Sequence, residues 1–167
     1  MIPLELKELV EGKPKSIVVS IPSFQYGKRI PERFTCDGDD ISPQITISNI
    51  PDNTKTLLLI MYDPDAPFGT FYHWSLYNIP PDINVLPENI PKEPITQYGM
   101  QARNDFGYIG YGGPCPPRGH GTHHYFFLVL ALDSSIPLPA NASIREVIDA
   151  AKDHVIAYGL YMGTYSR

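Results

Sequence analysis

The chain has 167 residues, a formal charge of −5, 43% hydrophobic and 19% charged residues, which fits one domain, 1–167, with 1–15 as an N-terminal extension. At this length roughly 70% of the unfolded surface is buried on folding, so neither a disulfide scaffold nor a structural metal is required. The acidic balance, with scattered Lys and Arg, argues against a nucleic-acid partner; the charged start and the lack of any run near ~20 apolar residues predict a cytoplasmic protein without stable membrane insertion.

Eighteen prolines and thirteen glycines punctuate the apolar runs as turn residues. Leu6, Leu9 and Val10 are helically spaced, so 1–15 is expected to hold one short helix that Gly12 and Pro14 end. Short β-rich runs follow. Residues 16–21 form the first, and 44–50 alternates as a half-buried strand does. Residues 56–62 and 125–132 are continuous apolar runs, which suit central strands covered on both faces. Residues 73–79 form a further strand of mixed character. Ser143-Ile-Arg-Glu146 is a capping box, followed on one face by Ile144, Val147, Ile148, Ala151 and Val155. That helix is expected to reach His154 or Val155, with a closing strand over 158–165. The pattern predicts an all-β sandwich or barrel with few short helices.

Three stretches carry chemistry. The run 56–62 ends in Asp63-Pro64-Asp65-Ala66-Pro67. Residues two apart in extended chain face one side, so Asp63 and Asp65 are expected to converge on one cavity, roughly 6–7 Å apart at Cα. Taken alone, two aspartates in a Pro-rich turn are ordinary solvated turn residues. The Ala66–Pro67 bond is a candidate for cis. The second stretch, Gly110 to Tyr125, is rich in Gly and Pro, and Pro114, Pro116 and Pro117 rule out a helix after Gly113. By the period of two, His123 and Tyr125 share a face, while His124 points away to surface or packing. His120 falls in the loop, where spacing assigns it nothing. The third stretch is Phe71-Tyr-His-Trp74, where His73 beside Trp74 reads by itself as a satisfied semi-buried residue. Cys36 and Cys115 are too few for a disulfide framework; two buried free thiols are the expected state, with a single bridge left open.

Asp63-Pro-Asp-Ala-Pro, His73-Trp and Gly113-Pro-Cys-Pro-Pro followed by Gly-x-x-His-x-Tyr, together with the upstream loop Thr35–Pro43, resemble the phosphatidylethanolamine-binding protein (PEBP) family. The tail from Ala151 to Tyr165 is similar to its bacterial and archaeal branch, and the likeness spans residues 17–167. The resemblance implies a Greek-key antiparallel β-sandwich with peripheral helices and a small pocket for phosphate, acetate or phosphoryl-ethanolamine groups. Carried over by motif, the ligand-binding residues are Asp63, Asp65, Pro67, His73, Gly113, Pro114, His123 and Tyr125, with Phe71 as a wall. It also implies a regulatory binding role without cofactor, and a homodimer as in prokaryotic relatives. The second role it implies is inhibition of serine proteases or kinases through a surface loop, although no such loop stands out in the sequence.

An anion 4 Å from a carboxylate is repelled by roughly 4 kcal/mol at an effective dielectric near 20. A protonated His73 or His123, backbone N–H groups near Gly113, or a proton shared with an aspartate are the devices expected to reverse this. A metal site on His73, His123 and a carboxylate lacks supporting spacing. A hydrolase using Cys115 or Ser42 lacks an activated nucleophile. Binding without catalysis, and without a metal, is the expectation.

Overall fold

The computed structural model describes residues 2–167. In chain order the elements are α1 (Leu4–Val10), β1 (Val18–Ser20), a 3-10 turn (Glu32–Phe34), β2 (Ile45–Ser48), β3 (Thr56–Asp63), β4 (Phe71–Ile79), β5 (Val85–Leu86), β6 (Ile95–Thr96), β7 (Gly99–Gln101), β8 (His123–Leu132), α2 (Ile144–Ala151) and β9 (Val155–Tyr165). Two sheets form, a small one ordered β1-β2-β5 and a large one ordered β6-β7-β4-β3-β8-β9, with every strand pair antiparallel. After β3, β4 and β7 lie side by side, the long connection to β8 returns the chain beside β3. That is a Greek-key path.

Both faces of the large sheet are covered, which explains why 56–62 and 125–132 lack alternation. Leu57, Leu59 and Met61 of β3, with Tyr125, Phe127 and Val129 of β8, face the small sheet. Leu58, Ile60 and Tyr62, with Phe126, Leu128 and Leu130, face α1 and α2 on the other side. The N-terminal helix buries Leu6, Leu9 and Val10 in this second core, so the first residues are part of the domain's packing. The capping box forms as read, with the Glu146 N–H donating to Ser143 Oγ and the Ser143 N–H to Glu146 Oε1.

Several expected boundaries move. Helix α2 stops at Ala151 rather than His154 or Val155, because Asp153 takes a positive φ of 68° that turns the chain. Val155 already belongs to β9, and it faces the helix-side core, which is why it fitted the helical stripe. Strand β4 begins at Phe71, two residues before the predicted run 73–79, while β8 begins at His123, inside the extended stretch in which His123 and Tyr125 share a face. No cis peptide bond occurs among the described residues, so Ala66–Pro67 is trans. The two cysteines are bonded to each other, which corrects the free-thiol expectation. They are 79 residues apart in sequence, and the Cys36 N–H donates to the Pro114 carbonyl, which sets their two loops side by side. Sequence spacing holds no trace of that contact.

Candidate functional site

The site lies at one end of the large sheet, where β3 ends, β4 begins and β8 begins. Asp63 closes β3 on the face that points toward the small sheet, and His123 and Tyr125 enter β8 on the same face. His73 arrives there by an irregularity. Met61 pairs with Trp74 but the next residue, Tyr62, pairs with Tyr72, so His73 is the extra residue of a β-bulge. The bulge turns His73 to the same side as Trp74, against the alternation of a regular strand.

These groups border a cavity of about 410 Å³ whose lining includes Asp63, Pro67, Phe71, His73, His123 and Tyr125. Cys115, Pro116 and Pro117 form another wall, and Phe68, Phe106 and Arg145 flank it. The end of the cavity around Asp63 is a hydrogen-bonded chain. His123 Nδ1 donates to Asp63 Oδ2 at 2.6 Å, and His123 Nε2 lies 2.6 Å from His120 Nδ1. With its proton on Nδ1, a neutral His123 accepts at Nε2, so His120 is the donor in that contact. Asp63 Oδ1 also accepts the Asp65 N–H at 2.7 Å.

Burial raises Asp63, and the hydrogen bonds from His123 and Asp65 offset this only in part, so its carboxyl ends above the usual carboxylate range. Burial, then the charges of Asp63 and Asp65, push the Tyr125 phenol far up, so it stays a neutral O–H donor at any physiological pH. His73 is pushed down to about 4, first by burial, while its hydrogen bond to the Gly112 carbonyl works the other way. Its Nδ1–H donates to that carbonyl at 2.6 Å, and Nε2 is then an acceptor. A protonated His73 is therefore not available as a countercharge near neutral pH.

The folded His73 pKa is below the unfolded value, so the unfolded chain binds more protons and stability is lost as pH falls from about 6.5 toward 4. This one group should lower the unfolding free energy by roughly 2 kcal/mol between pH 7 and pH 4.5. Urea titrations at the two pH values should show that drop in the wild type, and a smaller one in His73→Asn.

Three residues expected in the pocket lie elsewhere. Asp65 does not converge with Asp63, because β3 ends at Asp63 and the period of two ends with it. Its carboxylate accepts instead from the His124 N–H at 2.8 Å and pairs with His124 Nδ1 at 2.7 Å, outside the cavity. Burial acts to raise Asp65, but these His124 contacts outweigh it and hold it low. The Gly113 N–H donates to Asp40 Oδ1 at 2.7 Å, and Pro114 has no N–H and accepts from Cys36. These two residues support the wall from behind, while Cys115 to Pro117 face the cavity. His120, which spacing left unassigned, joins the site through His123. The loop has no periodicity to reveal this, and the three-residue gap before His123 was the only signal available.

A family model for phosphatidylethanolamine-binding protein matches residues 20–166. A UPF0098 protein of Pyrococcus horikoshii is 46% identical over 180 residues, covering 100% of this chain and 89% of its own. A UPF0098 protein of Aquifex aeolicus is 49% identical over 146 residues, covering 87% of this chain and 85% of its own. Among solved structures, YbcL of Escherichia coli, a member of the mammalian PEBP family, superposes with a TM-score of 0.85 at 33% identity, covering 91% of this chain and 99% of that one.

Proposed function

The chain belongs to the phosphatidylethanolamine-binding protein family, and from that premise we propose that it is a regulatory binding protein whose cavity takes a phosphate or phosphoryl-headgroup ligand. The observation that carries this reading is the meeting of Asp63, His73, His123 and Tyr125 at one cavity of about 410 Å³, roomier than a lone inorganic anion needs. Tyr125 brings a neutral hydroxyl donor, and His123 brings a ring whose orientation Asp63 fixes. The aromatic flank of Phe71 and Phe106, with ring centroids 4.7 Å apart, suits the organic part of such a ligand.

Binding is favoured over catalysis by what the candidate nucleophiles are doing. Cys115 is held in the disulfide, and the Ser42 hydroxyl is buried and accepts the Ile90 N–H. Neither is paired with a base.

Calorimetric titration with inorganic phosphate and with phosphoethanolamine tests the proposal. Affinity should weaken about 10-fold or more from pH 5.5 to pH 8, the range in which a histidine side chain ordinarily changes charge. Tyr125→Phe should weaken it by roughly 5-fold, the worth of one hydrogen bond. Equal affinity at both pH values would argue against a histidine-centred site.

A further inference from the structure

The proposed ligand is an anion, and the carboxylate of Asp63 borders its cavity. Some group must supply a countercharge, and the two arginines beside the cavity walls, Arg145 and Arg167, are already engaged. Arg145 pairs with Asp105 at 3.4 Å and Glu5 at 3.8 Å and lies over the Tyr72 ring. Arg167 pairs with Asp37 at 3.2 Å and donates to the Pro116 carbonyl at 2.9 Å. His73 is held neutral near neutral pH. His124 faces out and is matched by Asp65. His123 is almost fully buried, with both ring nitrogens already in contact.

Within this arrangement the pair His120–His123 can add a proton without breaking a contact, and it is the pair that is hydrogen-bonded to Asp63. His120 is exposed, and its Nδ1 faces His123 while its other nitrogen is free of protein partners among the described residues. A proton added there makes an imidazolium that still donates to His123, which still donates to Asp63. Charge then enters the site from the solvent side along a chain whose inner links stay intact. The loop is held for this role at both ends. The His120 N–H donates to the Pro117 carbonyl at 3.1 Å and the Gly119 N–H to the Arg167 carbonyl at 3.0 Å.

We propose that His120 is a positioning residue for the anion site, which charges and orients His123 through their direct contact so that ligand binding takes up one proton. This deepens the proposed function and rests on it. The groups that bear on the coupling are His120, His123 and Asp63 in the chain itself, and Asp65 and His124 beside it. Tyr125 and His73 face the cavity in forms that do not change charge near neutral pH. Arg118 lies in the same loop, two residues before His120.

The test is calorimetry with inorganic phosphate at pH 7.5 in two buffers of different ionisation enthalpy, on the wild type, His120→Asn and His120→Gln. The wild type should take up more protons per phosphate bound than either variant, the ionisation of phosphate itself being common to all three. Both variants should bind roughly 10-fold more weakly and take up markedly less than the wild type. Folding is checked by each variant's urea midpoint, and His120 is exposed, so the midpoints should stay close to that of the wild type. Unchanged proton uptake in the variants, or tighter binding, would overturn the role of His120 while leaving the anion site standing. A wild type that does not bind phosphate overturns the functional reading and this inference together.

Discussion

Reduction of the Cys36–Cys115 disulfide should lower the unfolding free energy by about 4.5 kcal/mol. The bond closes a loop of 79 residues. In the chain-entropy treatment, a closed loop of that length removes disorder from the unfolded chain worth about 4.5 kcal/mol at 25 °C. A net stability of 5–15 kcal/mol is typical of a domain, so this is a large share. Urea unfolding with and without a phosphine reductant, alongside the Cys36→Ser/Cys115→Ser double variant, measures it. The reduced wild type and the double variant should give the same loss. A loss below about 1 kcal/mol would mean that the surrounding hydrogen bonds hold the two loops without help. Because Cys115 also borders the cavity, phosphate affinity measured on the reduced protein reports whether the wall stays in place.

Gly113→Ala should cost about 3 kcal/mol or more. A Cβ at this position would lie 2.2 Å from the Phe34 carbonyl oxygen and 2.5 Å from Asp40 Oδ1, both inside van der Waals contact. The clash cannot be relieved by one side chain turning away, since the nearer atom is backbone. Moving the loop would also break the hydrogen bond from the Gly113 N–H to Asp40. Overpacking costs about 1–3 kcal/mol and the loss of this half-buried hydrogen bond adds about 1 kcal/mol. Thermal and urea unfolding should both show the loss. Gly119→Ala makes the contrast, because nothing lies within 4 Å of the added Cβ; its positive φ of 75° should still cost about 1 kcal/mol. A Gly113→Ala protein as stable as the wild type would show that the wall is pliable.

The loops behind the cavity are the part of the molecule least legible in the sequence. Gly113 was expected to offer its N–H to an anion, yet that donor is taken by Asp40, 73 residues away. The cysteine pair follows from the same topology. Asp65 was grouped with Asp63 by a period that holds only inside a strand, and the strand stops between them. His73 was known by motif alone, since a regular strand would have placed it opposite Trp74's face; the bulge at Met61 and Tyr62 is what aims it at the cavity.

The sequence by itself determined the longest elements and their faces: β3 and the apolar run of β8 buried on both sides, the capping box of α2, and the shared face of His123 and Tyr125. These follow from patterns of a few residues, whose physics is local. Tertiary structure alone decided the partners: Asp63 with His123, His123 with His120, Asp40 with Gly113 and Cys36 with Cys115. Apart from His120, each joins segments 60 or more residues apart: the return of β8 beside β3 brings Asp63 to His123, and two loops laid side by side bring together the other two pairs. Even His120 depends on a loop held by the Arg167 carbonyl. Periodicity encodes which way a side chain points, and only the path of the chain encodes what it meets there.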